Sequence, residues 1–302
     1  MKAEKRKITK RVCMIILVTI AALIVLVIIA AALSTLQNKE VYVAEYEIGA
    51  DDAGFIPINI VLISDLHRAQ FGEHNQQLVN KTAEQHPDLI MIAGDMLERN
   101  CTDAEIEEFA SLLDRLMEIA PVYLSRGNHD MNIYAGDIVD PYAVELIQNT
   151  GTVILDNDYA DIDVNGYELR IGGSLDYAFA DDTQEKWLAS DAYAFYSDFV
   201  NTDRYKIMLS HRPDSFIFGD AADVWDIDLV LCGHTHNGVI AFPWGKAVYA
   251  PDQGIFPKYS RGYYELGRIR MLICGGLAGN RGIPRVFNPP EIVRLTLYPD
   301  QQ

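Results

Sequence analysis

Residues 231–238 read Leu-Cys-Gly-His-Thr-His-Asn-Gly, so His234 and His236 follow directly on the apolar run 227–232. A buried strand ending there delivers both imidazoles to one face, because side chains two apart project to the same side. If each imidazole binds a different ion, the rest of the chain must supply carboxylates, another His and an oxygen ligand for two metal positions. Four further segments do so. The run 60–63 ends in Ser64-Asp65-Leu66-His67, a carboxylate and an imidazole two apart that suit a divalent ion. The run 89–93 ends in Gly94-Asp95, where glycine admits close backbone approach and Asp95 can bridge two ions. The run 122–125 ends in Arg126-Gly127-Asn128-His129-Asp130, which offers an amide oxygen and a neighbouring imidazole, and 207–210 ends in His211-Arg212-Pro213. One polar residue after an apolar strand is ordinarily a cap or a turn. Five endings rich in Asp, His and Asn point instead to metal-assisted chemistry.

The elements that must position these residues follow from periodicity. Apolar strands are predicted at 57–64, 88–93 and 122–125, alternating with helices at 75–85, 103–119 (capped by Thr102 or Asp103) and 141–149. Strand–helix alternation with near-continuous apolar strands implies a buried, largely parallel sheet. Beyond Gly151 shorter strands follow at 153–155, 159–164 and 167–172, with Asn165-Gly166 as a tight hairpin turn. An amphipathic helix at 183–200 precedes strands at 205–209, 228–232, 239–242, 263–266, 269–274 and 292–297. This much apolar strand is best buried by two sheets packed face to face with helices outside, in one domain of about 250 residues.

The first forty of the 302 residues differ from the rest. Lys2, Lys5, Arg6, Lys7, Lys10 and Arg11 precede an uncharged apolar run from Val12 to Leu33, about 22 residues, enough to cross a ~30 Å hydrocarbon core. Ala30, Ala31 and Ala32 would suit a signal peptidase, but the apolar region exceeds the roughly 7–15 residues of a signal peptide, which favours an uncleaved anchor. The basic flank marks the cytoplasmic side, and Glu40, Glu45, Glu47, Asp51 and Asp52 mark the other. The expected organisation is a cytoplasmic flank at 1–11, a transmembrane signal-anchor helix at 12–36, a linker or short edge strand within 37–55, and an extracytoplasmic domain at 56–302.

Setting aside the six basic residues and Glu4 of the flank leaves 19 basic against 42 acidic residues, a formal charge of −23. A surface of that sign repels polyanions, which argues against nucleic acid as substrate. Of the four cysteines, Cys13 falls in the apolar run, Cys232 on the far side of the His234/His236 strand, and Cys101 and Cys274 lie far apart, so no disulfide framework is read. His74 and His86 read as surface residues, His74 being the nearer to the cleft. Arg126 and Arg212 adjoin candidate ligands and are candidate phosphate contacts. Phe242, Trp244, Tyr249, Phe256 and Tyr259 read mostly as packing, with one or two forming an apolar lip on the cleft.

Asp-Leu-His at 65–67, Gly-Asp at 94–95, Gly-Asn-His-Asp at 127–130, His211 and Gly-His-Thr-His at 233–236 resemble, in order and spacing, the motif series of the calcineurin-like metallophosphoesterase superfamily. The likeness extends to its membrane-linked bacterial branch through Phe71, Gly72 and Asn75 after the first motif and Asn-Pro-Pro-Glu at 288–291. It covers essentially the whole domain. The resemblance implies a four-layer αββα sandwich of two mixed sheets with a dinuclear site at the strand ends. It assigns Asp65, His67 and His236 to one metal, Asn128, His211 and His234 to the second, Asp95 to both, and to His129 a role beside the leaving group or transferred oxyanion. Arg68, Ala69 and Gln70 depart from the smaller polar residues expected after the first motif, which bears on specificity and makes Arg68 a third candidate substrate contact.

The expected activity is metal-dependent phosphoester hydrolysis. Ions about 3.5–4 Å apart would hold a bridging hydroxide and neutralise charge on the phosphoryl oxygens. Oxygen and nitrogen ligation suits Mn, Fe or Zn without ranking them. A phosphodiester or pyrophosphate-linked lipid is the first expectation and a diffusible phosphomonoester the second. A binding module without turnover is the reading from another class, but such a module would be expected to have lost ligands, and all seven positions and His129 are filled.

Overall fold

Strands apolar on both faces need cover on both sides, and helices on one face with a second sheet on the other provide it. The computed structural model describes residues 2–49, 56–130, 140–175, 191–218, 221–279 and 283–298. An apolar helix, α1 (Lys2–Leu36), comes first with most of its side chains exposed. Its length and composition suffice for a membrane span, a test that a signal sequence also passes.

Then follow β1 (Tyr42–Ile48), β2 (Ile58–Ile63), α2 (Gln76–Ala83), β3 (Leu89–Ala93), α3 (Asp103–Met117), β4 (Val122–Ser125), α4 (Pro141–Asn149) and β5 (Val153–Leu155). The second half comprises β6 (Asp158–Val164), β7 (Tyr167–Ser174), α5 (Asp191–Phe199), β8 (Tyr205–Ser210), α6 (Asp214–Ile217), α7 (Ala221–Val224), β9 (Leu229–Cys232), β10 (Tyr249–Ala250), β11 (Gly254–Ile255), β12 (Gly262–Leu266), β13 (Ile269–Ile273) and β14 (Glu291–Leu297).

One sheet runs β1-β14-β2-β3-β4-β5 and the other β12-β13-β9-β8-β7-β6. Both are mixed: β2 through β5 are parallel with β14 antiparallel to β2, while β13, β9, β8 and β7 are parallel between two antiparallel edges. Alternation along β2 shows how the layers are filled. Ile60 and Leu62 enter the core between the sheets with Met91, Leu209, Leu231 and Leu272, whereas Val61 and Ile63 meet Leu112, Leu116 and Ile147 on the helix side. The second sheet's outer face is covered by Phe195, Tyr196, Phe199 and Trp225. The arrangement is the four-layer αββα sandwich expected. Each fully buried Ile or Leu contributes roughly 1.5–3 kcal/mol, and Leu62→Ala would cost about 2–5 kcal/mol.

Thr102 caps α3 in a full capping box with Glu105, and Asn165-Gly166 turns the β6–β7 hairpin with both residues at positive φ (53° and 87°). Elsewhere the structure departs from the periodicity. Of the two readings of 37–55, residues 42–48 take the edge strand, paired in parallel with β14 over seven residues, Tyr42 opposite Glu291 to Ile48 opposite Leu297. The strand expected at 239–242 is reduced to isolated bridges from Ile240 to Val286 and from Ala241 to Ala247, because Asn237, Gly238 and Val239 all have positive φ and break the extended run. The helix expected at 183–200 is seen as α5, and its first residues, 183–190, lie outside the described residues. The one-turn helices α6 and α7 gave no periodic signal.

Candidate metal centre

The parallel strands β2, β3, β4, β8 and β9 end at one edge of the sandwich, and their next residues leave the extended conformation at once. Asp65 (φ 54°), His67 (48°), Asp95 (53°), His234 (70°) and His236 (49°) all have left-handed backbone. For residues other than glycine this conformation persists only where the surroundings over-determine it. Here they do. Asp65 N donates to Gly94 O (3.0 Å), His67 N to Asp95 O (3.1 Å) and Gly233 N to His211 O (3.0 Å). Gly94 and Gly127 interlock: a Cβ on Gly94 would lie 2.4 Å from Gly127 N, and one on Gly127 would lie 2.2 Å from Asp95 Oδ1.

The side chains converge in two groups. Asp65, His67 and His236 bring ligand atoms within 4.8 Å of one another, and so do Asp95, His211 and His234. The Asp65 carboxylate is fully buried and accepts from Ser64 Oγ (2.7 Å) and from His234 N (3.1 Å to each oxygen). Asp95 lies between the groups, its Oδ2 3.1 Å from His211 Nε2 and 3.7 Å from His67 Nε2, while its Oδ1 accepts from His129 N (2.7 Å).

The imidazoles are oriented from behind. His211 Nδ1 donates to Ala93 O (2.7 Å) and His236 Nδ1 to Ala278 O (3.1 Å), which fixes the tautomer and leaves each Nε2 for a ligand. His234 is held the other way round, Nε2 against Asp252 Oδ2 at 3.2 Å, leaving Nδ1. The oxygen that completes the set is Asn128 Oδ1, buried with no hydrogen-bond partner among the described residues. A buried orphan acceptor beside two carboxylate–imidazole clusters fits the donor set of metal ions.

The charge state fits as well. Burial alone would raise Asp95, but the His211 imidazole, then His67, hold it well below the usual carboxylate range. Burial would lower His211, and Asp95 overrides it and raises it to about 10. Asp65 is likewise lowered against its burial, chiefly by His236 and His211. His236, whose burial dominates, falls to about 4 and is a neutral donor at pH 7. The cleft thus keeps its carboxylates ionised and favours positive charge between them.

Three carboxylates that were not singled out as site residues complete the surroundings. Glu98 lies 3.2 Å from His67 Nδ1 and 2.8 Å from His129 Nδ1; the His67 imidazole, against burial and aided by His129, lowers it to about 2. Asp252 is lowered to about 2, first by His234 and also by Arg212. Asp130 is buried and accepts from Gly127 N (3.0 Å) and Leu97 N (3.0 Å), tying two of the ligand loops together; burial raises it to about 6. Arg285 is a fourth residue that sequence reasoning passed over, its guanidinium donating to the carbonyls of Ala278 (2.6 Å), His236 (3.2 Å) and Gly275 (2.5 Å). Its one available signal was its place three residues before Asn288, which donates to His236 O at 2.7 Å.

The candidate substrate arginines part company. Arg126 is 1% exposed and pairs with Asp156 at 2.5 Å, and Arg212 is buried against Asp252, so neither stands as an open phosphate contact. Both lie just past a strand end, where an acidic side chain from a later segment, Asp156 or Asp252, takes the guanidinium. Arg68 does line the cleft, although Glu105 holds its Nε at 2.7 Å. His74 and His86 are exposed, and all four cysteines are unpaired, Cys232 fully buried in the second sheet.

The sequence model of the calcineurin-like phosphoesterases matches residues 58–238, more than half of the chain. The chain belongs to this family. This calcineurin-like phosphoesterase is 31% identical over 243 residues to a metallophosphoesterase of Campylobacter jejuni, covering 80% of this chain and 59% of that one. It therefore spans less than two thirds of the length of that relative. It is 27% identical over 244 residues to the phosphodiesterase YaeI of Escherichia coli (80% of this chain, 82% of that one). It is 25% identical over 294 residues to a transmembrane protein with metallophosphoesterase domain from Danio rerio (92% and 62%). The calcineurin-like phosphoesterase is accordingly a metal-dependent phosphoester hydrolase.

Proposed function

We propose that the protein is a membrane-anchored phosphodiesterase with a dinuclear site, acting on a phosphodiester or pyrophosphate-linked lipid, with the domain on the extracytoplasmic side. One observation carries this reading. A cavity of about 570 Å³ opens from His67 and Glu98, past Arg68 and Ile283, to Asn38, just beyond the end of α1. In this reading a substrate whose tail stays in the bilayer enters the cleft from the α1 side, past Asn38.

In this reading Asp65, His67 and His236 hold one ion, Asn128, His211 and His234 the other, and Asp95 both. Two ions, when bound, supply a water-derived nucleophile near neutral pH and offset the charge developing on the phosphoryl oxygens. The chain supplies the rest. Glu98 accepts at His129 Nδ1, which leaves Nε2 as the atom that would give a proton to the departing oxygen. The Asp95 carboxylate is kept ionised and in place by His129 N and His211. Arg68 at the cleft wall is positioned to meet a phosphate or headgroup oxygen.

The test is a panel of monoester, diester and pyrophosphate substrates, soluble and in vesicles, given to the full chain after loading with Mn, Fe or Zn. The expected order of kcat/KM places vesicle-borne diesters or pyrophosphates first. A preference for soluble monoesters would overturn the substrate assignment.

A further inference from the structure

The segment that follows the His234/His236 loop is apolar yet largely uncovered. Phe242 N donates to Lys246 O (2.8 Å), closing a turn with Pro243, Trp244 and Gly245 at its tip, and Tyr249 pairs with Ile255 in the β10–β11 hairpin. Trp244 is 73% exposed, Ile255 72% and Phe256 55%. Phe242 stacks on Trp244 with ring centroids 4.6 Å apart and lies 5.9 Å from Phe256, so the rings form one patch. An exposed aromatic patch of this kind marks an interaction surface.

Two observations say what meets it. The first is its place. Ser34 near the end of α1 accepts from Phe287 N at 2.5 Å, and Asn38 donates to Arg285 O at 3.0 Å. On its other side the same stretch pairs with the patch segment, Ala241 N donating to Val286 O (2.9 Å) and Val286 N to Val239 O (3.1 Å). One strand spacing, roughly 5 Å, thus separates the stretch clamped to α1 from the base of the aromatic loop.

The second observation is charge. Beneath Phe256 opens a cavity of about 460 Å³ whose wall includes Lys246, Lys258 and Arg261 and no Asp or Glu. Arg261 is engaged by Glu291, but Lys246 and Lys258 have no carboxylate partner among the described residues. Beyond the basic N-terminal flank the chain carries 42 acidic against 19 basic residues, so a wall without acids is a local reversal of sign. Tryptophan and tyrosine beside lysine are the residues of a membrane–water interface, and lysines near an anionic surface add to that attraction.

We propose that residues 240–258 form a second, peripheral membrane contact, with the Trp244–Phe256 patch seated among the lipids and Lys246 and Lys258 holding an anionic phospholipid headgroup. This rests on the membrane-span reading of α1 and is independent of any reading of the substrate. The contact fixes which way the domain faces on the bilayer, which a single helix cannot do.

The test uses the full chain, without added metal, in vesicles of phosphatidylglycerol and phosphatidylcholine carrying brominated acyl chains, with Trp244→Phe supplying the signal of the other tryptophans for subtraction. Trp244 emission should be quenched by the bromolipids and shielded from aqueous acrylamide. The Lys246→Gln/Lys258→Gln double variant should lower the docked-to-free ratio of the loop by roughly thirtyfold, about fivefold per lysine on an anionic surface, while turnover of a soluble diester by the same variant, assayed separately after metal loading, stays unchanged. Trp244 left fully open to acrylamide in a chain that resists carbonate extraction would overturn the contact and spare the span. Release of the wild-type chain by carbonate would sink the span and the contact with it. Shielding that grows with protein concentration and ignores the lipid would assign the patch to a second copy of the chain and equally overturn the proposal.

Discussion

Asp65, Asp95, His211 and His236 lie beneath the cleft with 4% exposure or less, each held by two or more neighbours. A short distance along the chain from His236, Trp244, Ile255 and Phe256 stand more than half exposed, held by a turn and a two-residue hairpin. The buried floor owes its geometry to backbone forced into positive φ and to imidazoles fixed through their second nitrogen. The rim owes its character to composition, with exposed aromatic and aliphatic side chains on a short turn and hairpin. Floor variants should therefore change every reaction alike, whereas rim variants should matter only where a membrane is present.

The largest effect expected is at Asp95. Asp95→Asn removes a charge shared by both clusters, so kcat/KM should fall by at least about a thousandfold on soluble and vesicle substrates alike, with metal content reduced on elemental analysis. Two ions per chain with ordinary turnover would refute its bridging place. His129→Ala comes next: both metals retained, and a rate loss of about 10²–10⁴-fold that is smaller for substrates with a good leaving group. Glu98→Gln acts through His67 and His129, and a loss of about 10–100-fold in kcat with KM little changed is expected.

Smaller still are the changes outside the floor. Deleting residues 1–37 should leave kcat/KM on a soluble chromogenic diester nearly unchanged and lower turnover in vesicles by about tenfold or more, since tethering raises local concentration without touching the site. Equal vesicle rates with and without α1 would reduce the helix to a means of retention. Trp244→Ala should change soluble turnover by less than about twofold, the scale of an exposed substitution. A large loss there would erase the distinction between floor and rim.

Much of the floor was legible in the sequence because each candidate ligand lies within four residues of the end of its apolar strand, so the strand's end announces the side chains that the fold brings together. The two sheets were legible for the same reason. What escaped is set by partners remote in the chain. The pattern Tyr42–Ile48 is acidic and only loosely alternating, and it becomes a strand because β14, some 250 residues on, offers it a parallel edge. Glu98 and Asp252 sit in polar stretches with nothing local to distinguish them, and only the folded chain brings them to His129 and His234. The aromatic segment misled through its apolarity, which reads as core wherever burial cannot be seen.

The clamp between α1 and residues 285–287 has a mechanical consequence. Thr9–Leu36 is about 42 Å long at 1.5 Å per residue, more than a typical hydrocarbon core of about 30 Å, so in a bilayer the helix would tilt to fit. Asn38 grips the carbonyl of Arg285, and the guanidinium of Arg285 grips the carbonyl of His236. A change of tilt would therefore load a stiff two-step lever that ends on a ligand of the cleft. If α1 spans a bilayer, acyl chain length, which sets bilayer thickness, would reach the cleft by this route, and the expected result is a dependence of the rate on lipid length that vanishes once residues 1–37 are removed.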